Sequence, residues 1–501
     1  MTSSARGGTE LYPPKWLPAP FRWHRTRVSW GQSWRLAGAL IPRWRDRTVV
    51  HYIAAELPGQ DDILIARMPL LKYVVVRSPE LARHILVAHQ DNYAKSAEYD
   101  MMAVTFGQGL VTDMDEERYQ RNQRVVRPIF ARNAIDQFAG PMTDAAHDTL
   151  DCIATASAAG RPVDIGAEMN RLMLDVVART MFGTDLSGPI SQINLTNLLK
   201  FFGVGFASGV SRPLRKLSTW VVRHTETPER QAGSRLPIRA MRLLTWMSAP
   251  HIMLELRGIE KAVDSLIADH RSGRIARKDN LLALLMESRD PETGYGYSDA
   301  EIHDELMTFI GAGMETSATA LTWMWKLLAE HPEVRARLHE ELDSVLAGRT
   351  PTADDVDKLV WCRAIFLEAM RIYPPVIGLT RVAKHDDVLA GYHVKAGTTV
   401  VVSLHGVHYN ERVWERPSEF DPTRYLPENM TAEHRQASLA FSAGKRICMA
   451  QGFATMEVVL ALATIAQRYD LDLAVEGPIR RQMSFIGAPE NPLMMRAVPR
   501  D

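Results

Sequence analysis

The chain has 501 residues, of which 46% are hydrophobic and 24% charged, and its 59 Lys+Arg are matched by 59 Asp+Glu. This is the composition of a globular protein with ample material for a core, and the balance of charge gives no global field for nucleic acid. Cys152, Cys362 and Cys448 are too few and too scattered for a disulfide framework or a CxxC-type zinc cluster, which fits a reducing, cytoplasmic setting.

The N-terminal MTSSARGGTELYPPKW has no apolar h-region, so no signal peptide is expected. No run of roughly 18 apolar residues follows, so no spanning helix is expected, and any membrane contact must be peripheral. Residues 1–50, rich in Pro, Trp and Arg, read as an irregular arm ahead of a single domain over 51–501. The runs ILIARM and KYVVV, between about 51 and 90, predict a small twisted sheet, and most of 79–345 shows helical periodicity. Residues 194–250 open on an apolar stretch, LTNLLKFFGVGFASGV, and then turn basic, the whole segment holding nine Lys or Arg against two Glu. Such a segment suits a lipid surface or an amphiphilic substrate; the plainer reading is a long, packed lid.

A long helix is predicted from Ser298 to about Glu330, opened by a capping box of Ser298 and Glu301. Ile302, Leu306, Phe309, Gly313 and Thr316 share one stripe of it. Gly311 and Gly313 each weaken a helix interior by roughly 1 kcal/mol relative to Ala. They call for a reason, such as the close approach of a flat ligand or a local opening of the helix. A second helix is predicted from Thr352 and Asp355 to the stop at Pro374–Pro375, with Glu368 and Arg371 on one face. Strand and turn character returns over 376–425, for example in DDVLAGYHVKAGTTVVVSL, and a further helix over about 448–468. The sum is a mainly α body with a minor β portion.

The run Phe441-Ser-Ala-Gly444-Lys-Arg446-Ile-Cys448-Met-Ala450 carries the chemistry. Gly444 permits a tight turn that can aim backbone N–H groups at the Cys448 sulfur. The positive end of the following helix also favours a thiolate, and Arg446 adds a cation. A lone Cys is most often just a small buried residue, but Phe, Gly and Arg at these offsets are not expected of one.

This run resembles the cytochrome P-450 haem-binding loop, FxxGxRxCxG, with Ala450 where Gly is usual and Ala440 where Pro often precedes the Phe. Further motifs of that family follow the same order along the chain. Ala312-Gly313-Met314-Glu315-Thr316 resembles its oxygen-activation segment, Glu368-Ala-Met-Arg371 its ExxR pair, and Arg424 in PSEFDPTR the Arg that joins that pair. The likeness covers roughly residues 50–500. It implies the P-450 fold with the 298–330 helix over the haem, and haem b with Cys448 as axial ligand, whose thiolate pushes electron density onto iron. It also implies an acid–alcohol pair, Glu315 and Thr316, and a structural cluster of Glu368, Arg371 and Arg424.

By motif position Arg446 and Arg381 are expected at the haem propionates. The family's WxxxR or HxxxR pattern reads Tyr119…Gln123 here; Tyr119 is expected to bind the haem by donating a hydrogen bond, and whether Gln123 or Arg124 takes a propionate stays open. Phe441, Gly444 and Ala312 are expected against the haem. In the eukaryotic ω-hydroxylases of the family a Glu stands where this chain has Ala312 and can bond covalently to haem, so noncovalent haem is expected here. Phe106, Ala312, Val376, Ile377 and Phe485 are expected to line an apolar pocket.

The implied activity is insertion of one oxygen atom into a C–H bond of a hydrophobic substrate, with some likeness to the fatty-acid-hydroxylating branches. Electrons are expected from a separate ferredoxin or flavodoxin with its reductase, docking near Lys445 and Arg446. No nucleic-acid partner is expected. A peroxide-driven enzyme or isomerase and a haem sensor or carrier remain alternatives on the same fold, and Glu315–Thr316 argues against the first. A Cys hydrolase would need a His partner, and no local signature of one is seen.

Overall fold

The computed structural model describes residues 62–183, 250–274, 279–482 and 486–500, with a few isolated positions besides and a few within these ranges excepted. The arm at 1–50, nearly all of 194–250, and Phe485 lie outside the described residues.

Strands β1 (Ile63–Met68), β2 (Leu71–Val76) and β3 (Tyr93–Lys95) precede helices α1 (Glu98–Phe106), α2 (Glu116–Val126) and α3 (Ala139–Ala158). The short β4 (Val163–Asp164) leads into α4 (Ile165–Val177), and α5 (Pro250–Arg271) and α6 (Leu281–Glu287) follow. Next come α7 (Asp299–Glu330), α8 (Pro332–Leu346) and α9 (Val360–Ile372). Strands β5 (Gly378–Ala383), β6 (Asp387–Leu389), β7 (Tyr392–Val394) and β8 (Thr399–Ser403) precede α10 (Gln451–Ala466), β9 (Tyr469–Leu473) and β10 (Met494–Pro499). Among the described residues the predicted sheet and helix regions are present.

Among the described residues the largest sheet runs β1-β2-β8-β5-β3. β8, Thr-Val-Val-Val-Ser, pairs parallel with β2 and antiparallel with β5, and every one of its residues is buried. A strand flanked on both sides has no need of alternation, so it reads as a continuous apolar run. Edge strand β3 sets Lys95 opposite Arg381 of β5.

α7 is 32 residues long, about 48 Å at 1.5 Å per residue. Its capping box is present: Ser298 N–H donates to Glu301 Oε2 at 3.0 Å, and Glu301 N–H donates to Ser298 Oγ at 3.4 Å. The expected single stripe understates its burial. From Asp304 to Gly311 and from Ser317 to Leu328 every residue is buried, so the helix is enclosed on all sides, as befits one at the centre of a core.

The second predicted helix starts later than its signal. The Thr352–Asp355 capping box forms, but around one 3₁₀ turn, Ala353–Asp355. Arg349 grips the Asp355 carboxylate at 2.6 and 2.7 Å. α9 begins at Val360, and its first N–H groups, Trp361 and Cys362, donate to the Glu341 carboxylate of α8 at 2.6 and 2.9 Å. A cap supplied by another helix leaves no local signature.

Candidate active site

Phe441 to Ala450 joins the sheet region to α10. Gly444 has φ +72°, and a Cβ there would lie 1.8 Å from the Leu86 carbonyl oxygen, so both backbone and neighbour demand glycine. Cys448 N–H donates to Phe441 O at 2.9 Å, closing the loop on itself. Phe441 meets Phe366 of α9 edge-on at 6.2 Å. The Cys448 side chain is accessible, yet burial pushes its thiol up to about 11, while the Ala450 backbone N–H pulls it down. Cys362, by contrast, is fully buried, and burial pushes its thiol well above the usual range. Cys152 is exposed and touches Arg171.

Beneath the loop lies a buried charge cluster. Arg371 donates to both Glu368 oxygens at 2.7 Å, and neither side chain has any solvent exposure. Its remaining donors reach the carbonyls of His408, Pro417 and Glu419 at 2.9, 2.7 and 3.1 Å. Glu368 also accepts from Asp421 N–H at 3.0 Å, with Arg424 Nε at 3.4 Å. Burial pushes the Glu368 carboxyl up, and the Arg371 fork opposes it. His408 accepts from Leu439 N–H at 3.1 Å. Burial and Arg371 hold its pKa down to about 3, so it is neutral. The cluster thus ties α9 to the backbone leading into the Cys loop.

In mid-α7 the buried helix opens. Ala312 is exposed and Gly313 and Thr316 half-exposed, while Glu315 is buried. Thr316 Oγ1 donates to the Ala312 carbonyl at 2.7 Å. The two glycines have different reasons. A Cβ on Gly311 would lie 2.0 Å from the Phe106 ring, so a side chain, not a ligand, occupies that space. A Cβ on Gly313 would meet only Val177, at 3.9 Å.

The loop after Phe106 is clasped to α7, with Gln108 N–H donating to Asp304 at 2.8 Å and Leu110 N–H to Glu305 at 3.1 Å. Burial pushes the Glu305 carboxyl up to about 8. Ser317 Oγ donates to Glu457 of α10 at 2.5 Å, and burial raises that carboxyl to about 8 as well. These acids escaped the sequence reading because nothing local marks them. Val376 is half-buried; Ile377 is fully buried beside Gly487 and has no accessible face.

Three cations gather around Tyr119. The Arg446 guanidinium lies 3.4 Å over its ring, Lys95 Nζ is 5.8 Å from the ring centroid, and Arg381 sits opposite Lys95 in the sheet. Burial, then repulsion from Arg446 and Arg381, holds the Lys95 pKa well below the usual range. Among the described residues Glu116, 3.0 Å from Arg446, is the one carboxylate in contact with any of the three. Lys95 was missed at the sequence level because only strand pairing brings it here.

Tyr119 Oη and Gln123 Nε2 both donate to the Lys445 carbonyl, at 2.8 and 3.3 Å. Arg124 is committed to buried Asp290, at 2.7 and 2.9 Å, and does not stand in for the expected propionate cation. Arg446 also donates to Asp113 O at 3.1 Å.

This arrangement fits haem. Among the described residues no three His, Cys, Asp or Glu side chains form a metal cage. One accessible sulfur therefore suits an iron whose other ligands come from a macrocycle. The surplus cations suit its two carboxylates, and the small side chain at Ala312 leaves room for a flat group. Fold and site together define the haem-thiolate class. The family description for cytochrome P-450 matches residues 60–496, and the chain belongs to that family. It is 32% identical to putative cytochrome P-450 132 of Mycobacterium tuberculosis, over 82% of this chain and 85% of that one. It is 30% identical to cyclooctat-9-en-7-ol 5-monooxygenase of Streptomyces melanosporofaciens, over 87% of each chain. It is also 30% identical to pentalenene oxygenase of Streptomyces avermitilis, over 87% of this chain and 89% of that one. The chain is thus a cytochrome P-450 monooxygenase that uses noncovalent haem b with a cysteine thiolate on the iron, a redox partner and a hydrophobic substrate.

Proposed function

We propose that this chain hydroxylates a terpenoid-type hydrocarbon or alcohol. The observation that carries this is the likeness, over 87% of the chain, to relatives named for oxygenating cyclooctat-9-en-7-ol and pentalenene. Haem, when bound, activates dioxygen so that one oxygen atom enters a C–H bond and the other leaves as water. Cys448 ligates the iron, with the Ala450 N–H and the start of α10 stabilising its thiolate. Lys95, Arg381 and Arg446 hold the propionates. Ala312, Val376 and Phe106 shape the pocket, with Ile377 packed behind. The catalytic unit spans 51–501.

Thr316 and Glu315 deliver protons. The Thr316 hydroxyl gives its hydrogen to the Ala312 carbonyl, which leaves its oxygen lone pairs to hold a water proton donor in line. Thr316→Ala is expected to uncouple the enzyme. Product per reductant consumed falls roughly ten-fold or more, within what general-acid catalysis supplies, and hydrogen peroxide rises to match. Assay of peroxide against product checks this; unchanged coupling would remove Thr316 from the proton path.

Electrons come from a ferredoxin or flavodoxin with its reductase, approaching the Cys-loop side at Lys445. The protein is cytoplasmic and touches membrane peripherally. Exposed Leu243, Trp246 and Leu254 support a lipid-facing roof, and among the described residues no helix is long and apolar enough to cross a membrane.

Optical titration of the ferric protein tests the substrate class. Cyclic terpene hydrocarbons and alcohols are expected to give a saturable spin-state shift, and straight-chain fatty acids a weaker one or none. The reverse order would assign the pocket to fatty acids.

A further inference from the structure

In this chain the Cys loop is gripped from outside at one backbone unit, the residue Lys445, three residues before Cys448. Its N–H donates to Gln90 Oε1 at 2.8 Å. Its carbonyl accepts from Tyr119 Oη at 2.8 Å and Gln123 Nε2 at 3.3 Å, and Gln123 Nε2 also reaches Tyr119 Oη at 3.4 Å. Gln123 lies one turn after Tyr119 on α2, so both donors leave the same helix face. The unit beside it, Gly444, is pressed against the Leu86 carbonyl. The two peptide planes that flank the Lys445 Cα are therefore each held by side chains from a separate segment, and Arg446 closes over the Tyr119 ring.

We infer that Tyr119, Gln123 and Gln90 are positioning residues for the thiolate, acting through the Lys445 peptide, and that Tyr119 and Gln123 do not serve the haem propionates. With the plane before Lys445 held at its N–H and the plane after it held at its C=O, neither rotates freely, so the turn that aims the loop at the sulfur keeps one geometry. Among the described residues, propionate recognition falls to Lys95, Arg381 and Arg446. The inference rests on the assignment of Cys448 as ligand.

Two readouts separate the roles. One is the rate at which the ferrous carbon monoxide complex loses its thiolate-type absorption band. The other is the rate of haem transfer from the ferric holoprotein to an excess of a haem-binding apoprotein. Tyr119→Phe is expected to speed loss of the thiolate band roughly two- to ten-fold, the factor that one hydrogen bond supports, and to leave haem transfer within about two-fold of wild type. Gln123→Ala, which removes the weaker donor, is expected to act in the same direction to a smaller degree, and serves should Tyr119→Phe fold poorly. Lys95→Met is expected to do the opposite, speeding haem transfer while the band persists.

Faster haem transfer from Tyr119→Phe with an unaltered thiolate band would overturn the inference and return Tyr119 to the propionates. No change in either readout for both α2 variants would overturn it too. A wild-type protein that never shows the thiolate band would instead sink the assignment of Cys448 itself.

Discussion

Glu368→Ala is expected to cost the folded haem protein as a whole, not its catalytic rate alone. The substitution leaves the Arg371 guanidinium at zero exposure with three carbonyls but no carboxylate. It also removes the acceptor for Asp421 N–H and the anion beside Arg424. Breaking a buried ion pair from one side costs about 3–5 kcal/mol because a charge is left uncompensated. Against a typical total of about 5–15 kcal/mol that is a large fraction. The loss falls where α9 meets the backbone feeding the Cys loop, so haem retention and the denaturation midpoint should drop together. Denaturant unfolding followed by haem absorbance and by circular dichroism checks this. Full haem at wild-type stability would show that the cluster is dispensable.

Gly444→Ala is expected to be more local and nearly as damaging to function. Left-handed backbone costs a residue bearing a Cβ roughly 1–2 kcal/mol. That strain is the smaller part, because the new methyl would lie 1.8 Å from the Leu86 carbonyl oxygen, a backbone atom that cannot rotate away. The loop must shift by more than an atomic radius, which carries the Lys445 peptide off its partners and moves the sulfur. The expected result is a protein of nearly native helix content that binds haem weakly and gives little thiolate-type carbon monoxide spectrum. Gly313→Ala is the contrast, since its methyl meets only Val177 at 3.9 Å and should leave fold and haem content intact. Equal haem loss in the two variants would refute the steric argument.

Much of this protein was legible in the chain itself wherever the cause is local. The capping box at Ser298 and Glu301, the apolar run of β8 and the turn at Gly444 follow from backbone chemistry within a few residues. So does the meeting of Glu368 and Arg371, one helical turn apart on α9. The spacing of Phe441, Gly444, Arg446 and Cys448 carried the family with it.

Where the partner lies far along the chain, sequence position was silent. α9 starts at Val360 because Glu341 of another helix caps it. Gly311 is small because Phe106 arrives there from α1. Arg124, the nearest substitute for a propionate cation, pairs with Asp290 instead, and Lys95 reaches the surroundings of Tyr119 through a strand pairing. Sequence by itself determined the family and the reaction class, since those depend on residue types at short fixed spacing. Tertiary structure decided which cations surround Tyr119 and which side chains hold the Cys loop, because long-range packing chooses among donors that are chemically alike.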